Sequence, residues 1–382
     1  MRVALVSDWF LPRIGGLELQ MRDLALRLIE AGHEVEVITA TDGPSEVEGI
    51  PIYRIDATPL ISFGQLSWRP KVARAVRKRL KWGKFDVVHC HSALSPMSLM
   101  AARSAHRIGL PCVLTEHSVT HGAGGRIMSG SNRLTGWSRW PDVLTGVSSE
   151  VVSGLSALFP RRVRVLPNGV EPDDWLLSDQ TRRQLRVLTV MRLVPRKQPI
   201  DFIRAIPRIL QQVPEGRIAE FVVVGDGPER SRVKAEARRL GVLPLVRFTG
   251  RLDREAVRDE YGRASVFALP TEKEALSIAS LEALASGVPV VAMNKGGVRD
   301  VVTHGETGFL AEDYTEFADS IVRLCMDDEM RRTMAARGPT AARRFSWVSV
   351  LERHLEIYEM AIAAKARRVA LQLREDALES LA

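Results

Sequence analysis

Two glutamates, Glu274 and Glu282, stand with seven residues between them in the stretch Thr271-Glu272-Lys273-Glu274-Ala275-Leu276-Ser277-Ile278-Ala279-Ser280-Leu281-Glu282. A short apolar run at 266–269 precedes them, and the spacing of apolar residues predicts a helix over 277–286. Glu274 then sits in a strand-to-helix loop and Glu282 inside the helix. Backbone N–H groups near Leu276, Ser277 and Ile278 would open at the helix N-terminus, where unpaired donors and the helix dipole can hold phosphate oxygens. Glu282, more than a turn further on, has the reach to accept hydrogen bonds from ribose hydroxyls. Glu274 would lie nearer the group carried by the phosphate. Glutamate pairs are common on surface helices, so the context singles out this pair rather than its spacing.

Three other stretches carry residue types suited to chemistry. Arg192-Leu193-Val194-Pro195-Arg196-Lys197 follows an expected strand and precedes an expected helix. Cations at the carboxyl end of a parallel strand suit a phosphate or diphosphate, while the bland alternative is a solvated loop. Asp8-Trp9-Phe10-Leu11-Pro12-Arg13-Ile14-Gly15-Gly16 joins the first strand to the first helix, and its paired glycines let backbone donors approach an anion. It is not GxGxxG, and Thr39 stands where a ribose-binding acid would be needed, so a dinucleotide fingerprint is missing. His89 and His91 share one strand face, and His117 and His121 follow the next strand, which would make four imidazoles neighbours. No thiolate or carboxylate completes an obvious zinc set, so packing or substrate contact is the expected use and no metal is expected. Ser148 lies in no G-x-S-x-G elbow, which removes hydrolase chemistry.

The elements that must position these residues alternate. Strands are expected at 2–7, 35–39, 86–89, 112–115 and 143–147, with helices at 17–31 and 95–108 between them. After the turn-rich Pro167-Asn168-Gly169-Val170-Glu171-Pro172-Asp173-Asp174 and a polar stretch to Arg186, a second series begins. Its strands are expected at 186–191, 221–224, 246–249, 266–269 and 288–292, and its helices at 200–212, 229–240, 277–286 and 314–326. Short apolar runs alternating with amphipathic helices indicate parallel sheets covered on both faces. The fold class is α/β, two Rossmann-like doubly wound domains facing across a cleft, with ligands at the carboxyl ends of the strands. A length of 382 residues suits two such domains.

Composition narrows the classes of function. Lys plus Arg number 54 against 46 Asp plus Glu, a formal charge of +8. Arg69, Lys71, Arg74, Arg77, Lys78, Arg79, Lys81 and Lys84 fall together with no acid among them, and account for the whole excess. With the charge local and only 6% aromatic residues, nucleic acid is not an expected partner. Cys90, Cys112 and Cys325 are three widely spaced cysteines, which argues against a disulfide framework and for a reducing cytoplasm. The first apolar run is too short for a signal peptide, and no 18-residue apolar run is present.

Taken in order, the motifs resemble a family. Glu274 with Glu282 is similar to the E-x7-E motif of retaining GT-B glycosyltransferases of family 4. Gly15-Gly16, Glu116-His117-Ser118, Gly146-Val147-Ser148, Pro167-Asn168-Gly169-Val170, Arg192 with Lys197, Gly225-Asp226-Gly227-Pro228, Gly287-Val288-Pro289-Val290-Val291, Gly296-Gly297 and Gly305-Glu306-Thr307-Gly308 match as well, over roughly residues 1–360. Within the family, Asp8-Trp9-Phe10-Leu11-Pro12, His91-Ser92-Ala93-Leu94-Ser95 and Glu116-His117-Ser118 look most similar to the catalytic subunit of phosphatidylinositol N-acetylglucosaminyltransferase. Bacterial phosphatidylinositol mannosyltransferases are a looser match.

The resemblance implies a hexosyltransferase using a UDP- or GDP-sugar, with no cofactor and no essential metal. The chain lacks Asp-x-Asp, in agreement. Gly16, with Gly15, would approach the donor diphosphate, and Arg192 and Lys197 would neutralise it as it leaves. Glu274 would bind the transferred sugar and Glu282 the ribose, with His117 contacting the sugar. Retention through same-face attack leaves Glu274 without the role of covalent nucleophile. Residues 1–178 would form the acceptor domain, 179–345 the nucleotide-sugar domain, and 346–382 helices crossing back to the first. The alternatives are a nucleotide-sugar epimerase of the same fold and a transferase acting on a soluble sugar or inositol phosphate. The chain departs from the family at Ala275-Leu276-Ser277, where Gly-Phe-Gly is common, and at Met191 and Gln198, where glycine is common.

The basic cluster suggests where an acceptor would be met. A helix over 71–82 would gather Val72, Ala73, Val76 and Leu80 on one face and Lys71, Arg74, Arg77, Lys78 and Lys81 on the other. With Arg69 and Arg79, these cations would bind the anionic inner membrane face, and the apolar segment 60–64 and Trp68 would add a wedge at the lipid interface. Peripheral attachment of a cytoplasmic protein, over an inositol phospholipid acceptor, is the expectation. Oligomeric state is not legible.

Overall fold

The computed structural model describes residues 1–56, 70–120, 122–176 and 185–379. The chain divides into two compact units, Met1–Gly169 with Trp347–Ala382, and Val170–Ser346. The expected domain boundary at 178/179, the apolar segment 60–64, Trp68, Arg69 and His121 lie outside the described residues.

The first unit runs β1 (Arg2–Ser7), α1 (Gly16–Glu30), β2 (Glu34–Thr39), β3 (Glu46–Val47), β4 (Ile50–Arg54), α2 (Pro70–Trp82), β5 (Val87–His91), α3 (Pro96–Ile108), β6 (Cys112–Glu116), α4 (Ala123–Thr135), β7 (Val143–Gly146), α5 (Ser149–Leu158) and β8 (Val163–Val165). The strands form one sheet in the order β3-β4-β2-β1-β5-β6-β7-β8, parallel except for the β3–β4 pair. Its central strands are buried along nearly their whole length, because helices cover both faces. Caps set the helix ends. Ser95 accepts the Ser98 N–H with Pro96 in the first turn of α3, and Gly109, at φ +81°, stops that helix in the left-handed region.

The second unit runs α6 (Pro172–Trp175), β9 (Leu185–Val190), α7 (Pro199–Gln212), β10 (Ile218–Val224), α8 (Arg230–Arg239), β11 (Val246–Gly250), α9 (Arg254–Arg263), β12 (Val266–Leu269), α10 (Ile278–Ala285), β13 (Val290–Met293), β14 (Gly308–Ala311), α11 (Tyr314–Met326) and α12 (Asp328–Ala342). Its sheet is parallel throughout, in the order β11-β10-β9-β12-β13-β14. Phe202, Ile206, Phe221, Val223, Phe317 and Ile321 anchor its core. Both units are doubly wound and Rossmann-like. The strand order reverses between β1 and β5 in the first and between β9 and β12 in the second.

The last helix, α13 (Trp347–Glu379), belongs to the first unit. Trp347, Val350, Ile357, Tyr358 and Ala361 enter the same core as Val3, Leu5 and Val113. The helix continues past Lys365 in contact with the unit. Arg368 pairs with the buried carboxylate of Asp142 and lies 3.3 Å from His106 Nδ1. No described helix is long and apolar enough to cross a membrane.

Candidate functional site

In the second unit, the loops leaving the carboxyl ends of β9 and β12 meet because those strands are neighbours at the point of reversal. The first loop carries Arg192 and Lys197, the second Glu272, Glu274 and the start of α10. Thr271 Oγ1 donates to the Lys197 carbonyl at 3.1 Å, and the Glu272 N–H donates to Gln198 Oε1 at 2.7 Å. The loop after β13 closes on the same place. The Gly297 N–H donates to the Glu274 carbonyl at 2.8 Å, and a Cβ on Gly296, which has φ +78°, would stand 2.5 Å from that oxygen. With its backbone held in this way, Glu274 forms an ion pair with Lys197 Nζ; the side chains are 13% and 16% exposed. Lys295 pairs with Glu272 at 2.9 Å. Arg192 is exposed on the Lys197 loop. The turn Gly225-Asp226-Gly227 packs beneath that loop, with the Leu193 N–H donating to the Asp226 carbonyl at 3.0 Å.

Leu276 is buried beneath the start of α10, and Ser277 caps the helix, its Oγ accepting from the Ser280 N–H. By helix geometry the N–H groups of Ile278 and Ala279 have no intrahelical partner and can meet an anion. Glu282 is half-buried in α10 and accepts from Tyr261 Oη at 3.3 Å. Two of the departures from the family pattern fall on special backbone. Ser277 (φ +77°) and Gln198 (φ +54°) both occupy the left-handed region that glycine enters without strain.

The first unit has a corresponding point, where β1 meets β5. Asp8, just past β1, accepts hydrogen bonds from the Ser95 hydroxyl and the Met97 N–H of the loop and helix after β5. Gly15 and Gly16 open α1, but the first turn already carries a carboxylate. Glu18 is buried, pairs with Arg13 at 3.1 Å, and folds back so closely that a Cβ on Gly15 would lie 2.4 Å from it. Gln20 donates to the Gly169 carbonyl and accepts from its N–H, both at 2.9 Å, which fixes the Pro167-Asn168-Gly169 turn.

His117 follows β6 and is half-buried. Glu116, fully buried, accepts from the N–H groups of Ala93 at 2.7 Å, His117 at 3.0 Å and Ser118 at 2.8 Å, tying the loops after β5 and β6 together. Burial raises the Glu116 pKa and those three donors oppose the rise. His117 Nε2 lies 3.0 Å from His91 Nδ1, and the His91 and His89 rings are 4.1 Å apart. The remaining histidine is His354, brought in from α13. Burial pushes all four imidazoles down, His117 to about 3 and His354 to about 4, so all are neutral at pH 7. Among the described residues, no group of three His, Cys, Asp or Glu side chains is arranged to hold a metal ion. Glu116, Asp8 and Gln20 escape single-residue reasoning. Glu116 and Asp8 carried a signal only as members of matched motifs, and Gln20 carried none.

Helix α2 buries Val72, Val76 and Leu80 and exposes Lys71, Arg74, Arg77, Lys78 and Lys81. Arg79 differs: it is half-buried, ion-paired with Glu36 on β2, and lies over the Tyr53 ring at 5.0 Å. Trp82, at the end of the helix, is 68% exposed.

Known proteins place this architecture. Residues 14–174 match the model described as Glycosyltransferase Family 4, and residues 178–341 match Glycosyl transferases group 1. A D-inositol 3-phosphate glycosyltransferase of Kribbella flavida is 30% identical over 398 residues, covering 92% of both chains. A GDP-mannose-dependent alpha-(1-6)-phosphatidylinositol monomannoside mannosyltransferase of Mycobacterium tuberculosis is 29% identical, covering 88% of this chain and 92% of its own. Among solved structures, Anabaena HepE in complex with UDP and glucose superposes with a TM-score of 0.77 at 22% identity, over 94% of this chain and 99% of its own. A sucrose-phosphate synthase from Thermosynechococcus elongatus superposes at 0.79 and 20% identity, over 95% and 99%. With two doubly wound units, the paired loops of the second, and these matches along nearly its whole length, the chain belongs to the family 4 glycosyltransferases of the GT-B fold.

Proposed function

We propose that the protein is a retaining transferase that moves a hexose from a UDP- or GDP-sugar to a hydroxyl of an inositol phosphate headgroup. The observation that carries this reading is the Lys197–Glu274 pair, held by three loops beside the N-terminus of α10. Without a ligand, each side chain is the other's counter-ion. A bound nucleoside diphosphate gives Lys197 and the exposed Arg192 an anion whose charge grows as the glycosidic bond breaks, and stabilising that growth is where positioned cations lower the barrier. The first turn of α10 adds backbone donors, and Glu282 receives the ribose hydroxyls. Glu274, released from Lys197, turns to the hydroxyls of the sugar; a carboxylate engaged in this way is a binding group, not a nucleophile. His117 and Gly16 keep the roles the family resemblance implies, sugar contact and approach to the diphosphate.

The acceptor class is supported by the two relatives named for inositol phosphate and phosphatidylinositol monomannoside, and the donor class by the structural neighbour solved with UDP. The lipid-borne form of the acceptor is supported by α2. Five exposed cations, Lys71, Arg74, Arg77, Lys78 and Lys81, give an anionic leaflet roughly 1 kcal/mol each, and Trp82 offers an interfacial anchor. Arg79 is left out of this surface because it is committed to Glu36.

The test is the anomeric configuration of the product. The protein is incubated with UDP-glucose or GDP-mannose and either myo-inositol phosphate or vesicles containing phosphatidylinositol, and the new linkage is read by proton NMR. An α-linked product from the α-configured donor supports the reading. A β-linked product ends the retaining assignment, and free nucleotide sugar epimerised without transfer ends the transferase assignment.

A further inference from the structure

The histidine cluster has a feature that substrate contact by His117 does not explain. His91, the last residue of β5, is 3% exposed and lies between two rings, His89 with a centroid 4.1 Å away and His117 with one 5.2 Å away. Its Nδ1 is 3.0 Å from His117 Nε2. Its Nε2 is fully buried and has no hydrogen-bond partner among the described residues. His91 borders a small cavity of about 10 Å³ also lined by Gln20, Asn168, Thr115 and His354. Such a volume accommodates one water, and within a largely apolar lining the unsatisfied ring nitrogen, Gln20 and His354 are the polar partners a buried water requires.

The surrounding hydrogen bonds fix the proton on His354 and occupy the other polar groups of the cavity. His354 Nδ1 faces the Val350 carbonyl at 2.8 Å, and a carbonyl only accepts, so Nδ1 carries the proton and Nε2 is an acceptor. His89 is fully used, with Nδ1 on Tyr358 Oη at 3.0 Å and Nε2 on Thr115 Oγ1 at 2.6 Å. Thr115 is used as well, by His89 and by Thr145 Oγ1 at 2.6 Å. Gln20 directs one amide N–H at Gly169 and keeps a second donor. A water in the cavity therefore meets a donor in the Gln20 amide and an acceptor in His354 Nε2, and keeps a second proton that His91 Nε2 can accept.

We infer that His91 is a positioning residue: it accepts from a water in that cavity at Nε2, donates from Nδ1 to His117 Nε2, and so fixes His117 as the tautomer with its proton on Nδ1. Neither ring carries charge, and no proton is transferred. Two imidazoles joined nitrogen to nitrogen at this distance share one proton, so the state of one dictates the state of the other. His117 then presents an N–H donor on the nitrogen that His91 does not hold. This deepens the reading of His117 as a sugar contact and rests on it: the ligand group facing His117 is an acceptor, a hydroxyl oxygen, held by a ring that cannot flip. Glu116 fixes the backbone of the same residue, so both ends of His117 are set before substrate arrives.

The decisive measurement needs no substrate. In the full chain labelled with [15N]histidine, long-range ¹H–¹⁵N correlation should show His117 protonated on Nδ1 and His91 on Nδ1 with Nε2 bare. His117 protonated on Nε2 overturns the inference. Two variants give the kinetic readout, nucleotide release from UDP-glucose or GDP-mannose. His91→Asn keeps a polar group at the Nδ1 position, and His91→Gln extends past it toward the cavity. The Asn variant should stay within about threefold of wild-type kcat, whereas the Gln variant should fall at least tenfold with KM changed less than threefold. Equal losses in two variants that both melt near the wild type would make His91 merely structural. If His117→Ala leaves turnover unchanged, the sugar-contact reading fails, while the NMR assignment still decides His91.

Discussion

Acidification from pH 6.5 to 5.5 should remove about 3 kcal/mol from the stability of the first unit, because that unit keeps three fully buried imidazoles uncharged. His89, His91 and His354 are 0%, 3% and 6% exposed, and burial lowers the pKa of each, that of His354 to about 4. A base whose folded pKa is depressed takes its proton first in the unfolded chain. The stabilisation is therefore complete above the unfolded value of 6.5 and is lost as pH falls below it. Over this pH unit the unfolded chain gains RT ln(11/2), about 1 kcal/mol, per histidine that stays neutral in the fold. His117, half-buried, adds in the same direction and is left out of the sum. Glu116, raised by burial, acts in the opposite direction and is likewise left out of the sum. The assay is urea unfolding followed by circular dichroism at the two pH values. His354→Leu should remove about a third of the pH sensitivity, since it deletes one of the three groups. A change below about 1 kcal/mol in the wild type would mean that these rings are solvated or charged in the fold, and would refute the reasoning.

Three further outcomes follow from the paired loops and the basic helix. Lys197→Ala should lower turnover by at least tenfold, since it removes a partly buried cation from a developing dianion; a loss under about threefold would take Lys197 off the phosphates. Glu274→Gln should weaken binding of UDP-glucose or GDP-mannose more than binding of the free nucleotide, and equal losses in calorimetry would assign Glu274 to the ribose or to structure. Vesicle co-sedimentation should rise with phosphatidylserine content, fall with salt, and weaken when Arg74, Arg77, Lys78 and Lys81 become serine; no binding to anionic vesicles at low salt would leave a soluble inositol phosphate as the acceptor.

Much of the frame was legible because parallel strands buried on both faces read as apolar runs. The expected 2–7, 266–269 and 314–326 coincide with β1, β12 and α11, and most other boundaries fall within a residue or two. The β3–β4 pair escaped because two- and five-residue strands at a sheet edge carry too few apolar positions to show a period. Helix α12 escaped for a related reason: its buried stripe is thin, with only Met334, Gly338 and Ala342 buried. In the candidate site, the charged pair was visible as residue types but its geometry was not. Lys197 and Glu274 are 77 residues apart and meet only because β9 and β12 are neighbours. Arg79 shows the reverse limit. Helical spacing sets it on the polar side of α2, and nothing in the sequence reveals Glu36 waiting on β2. His354 is likewise out of reach, since α13 delivers it to His89 from the far end of the chain. The substitutions at Ser277 and Gln198 were legible as departures, and the structure gives them meaning as left-handed residues flanking the ion pair.

The claim on which the rest depends is that the loops of β9 and β12 bind a nucleoside diphosphate. A thermal-shift titration of UDP and GDP against wild type and Lys197→Ala tests it most directly. At 100 times its dissociation constant a ligand stabilises the fold by about 2.7 kcal/mol, which is a shift of several degrees. UDP or GDP should produce that shift in the wild type, and the same concentration should produce little in Lys197→Ala. No shift with either nucleotide at millimolar concentration, or an equal shift in both proteins, would contradict the account.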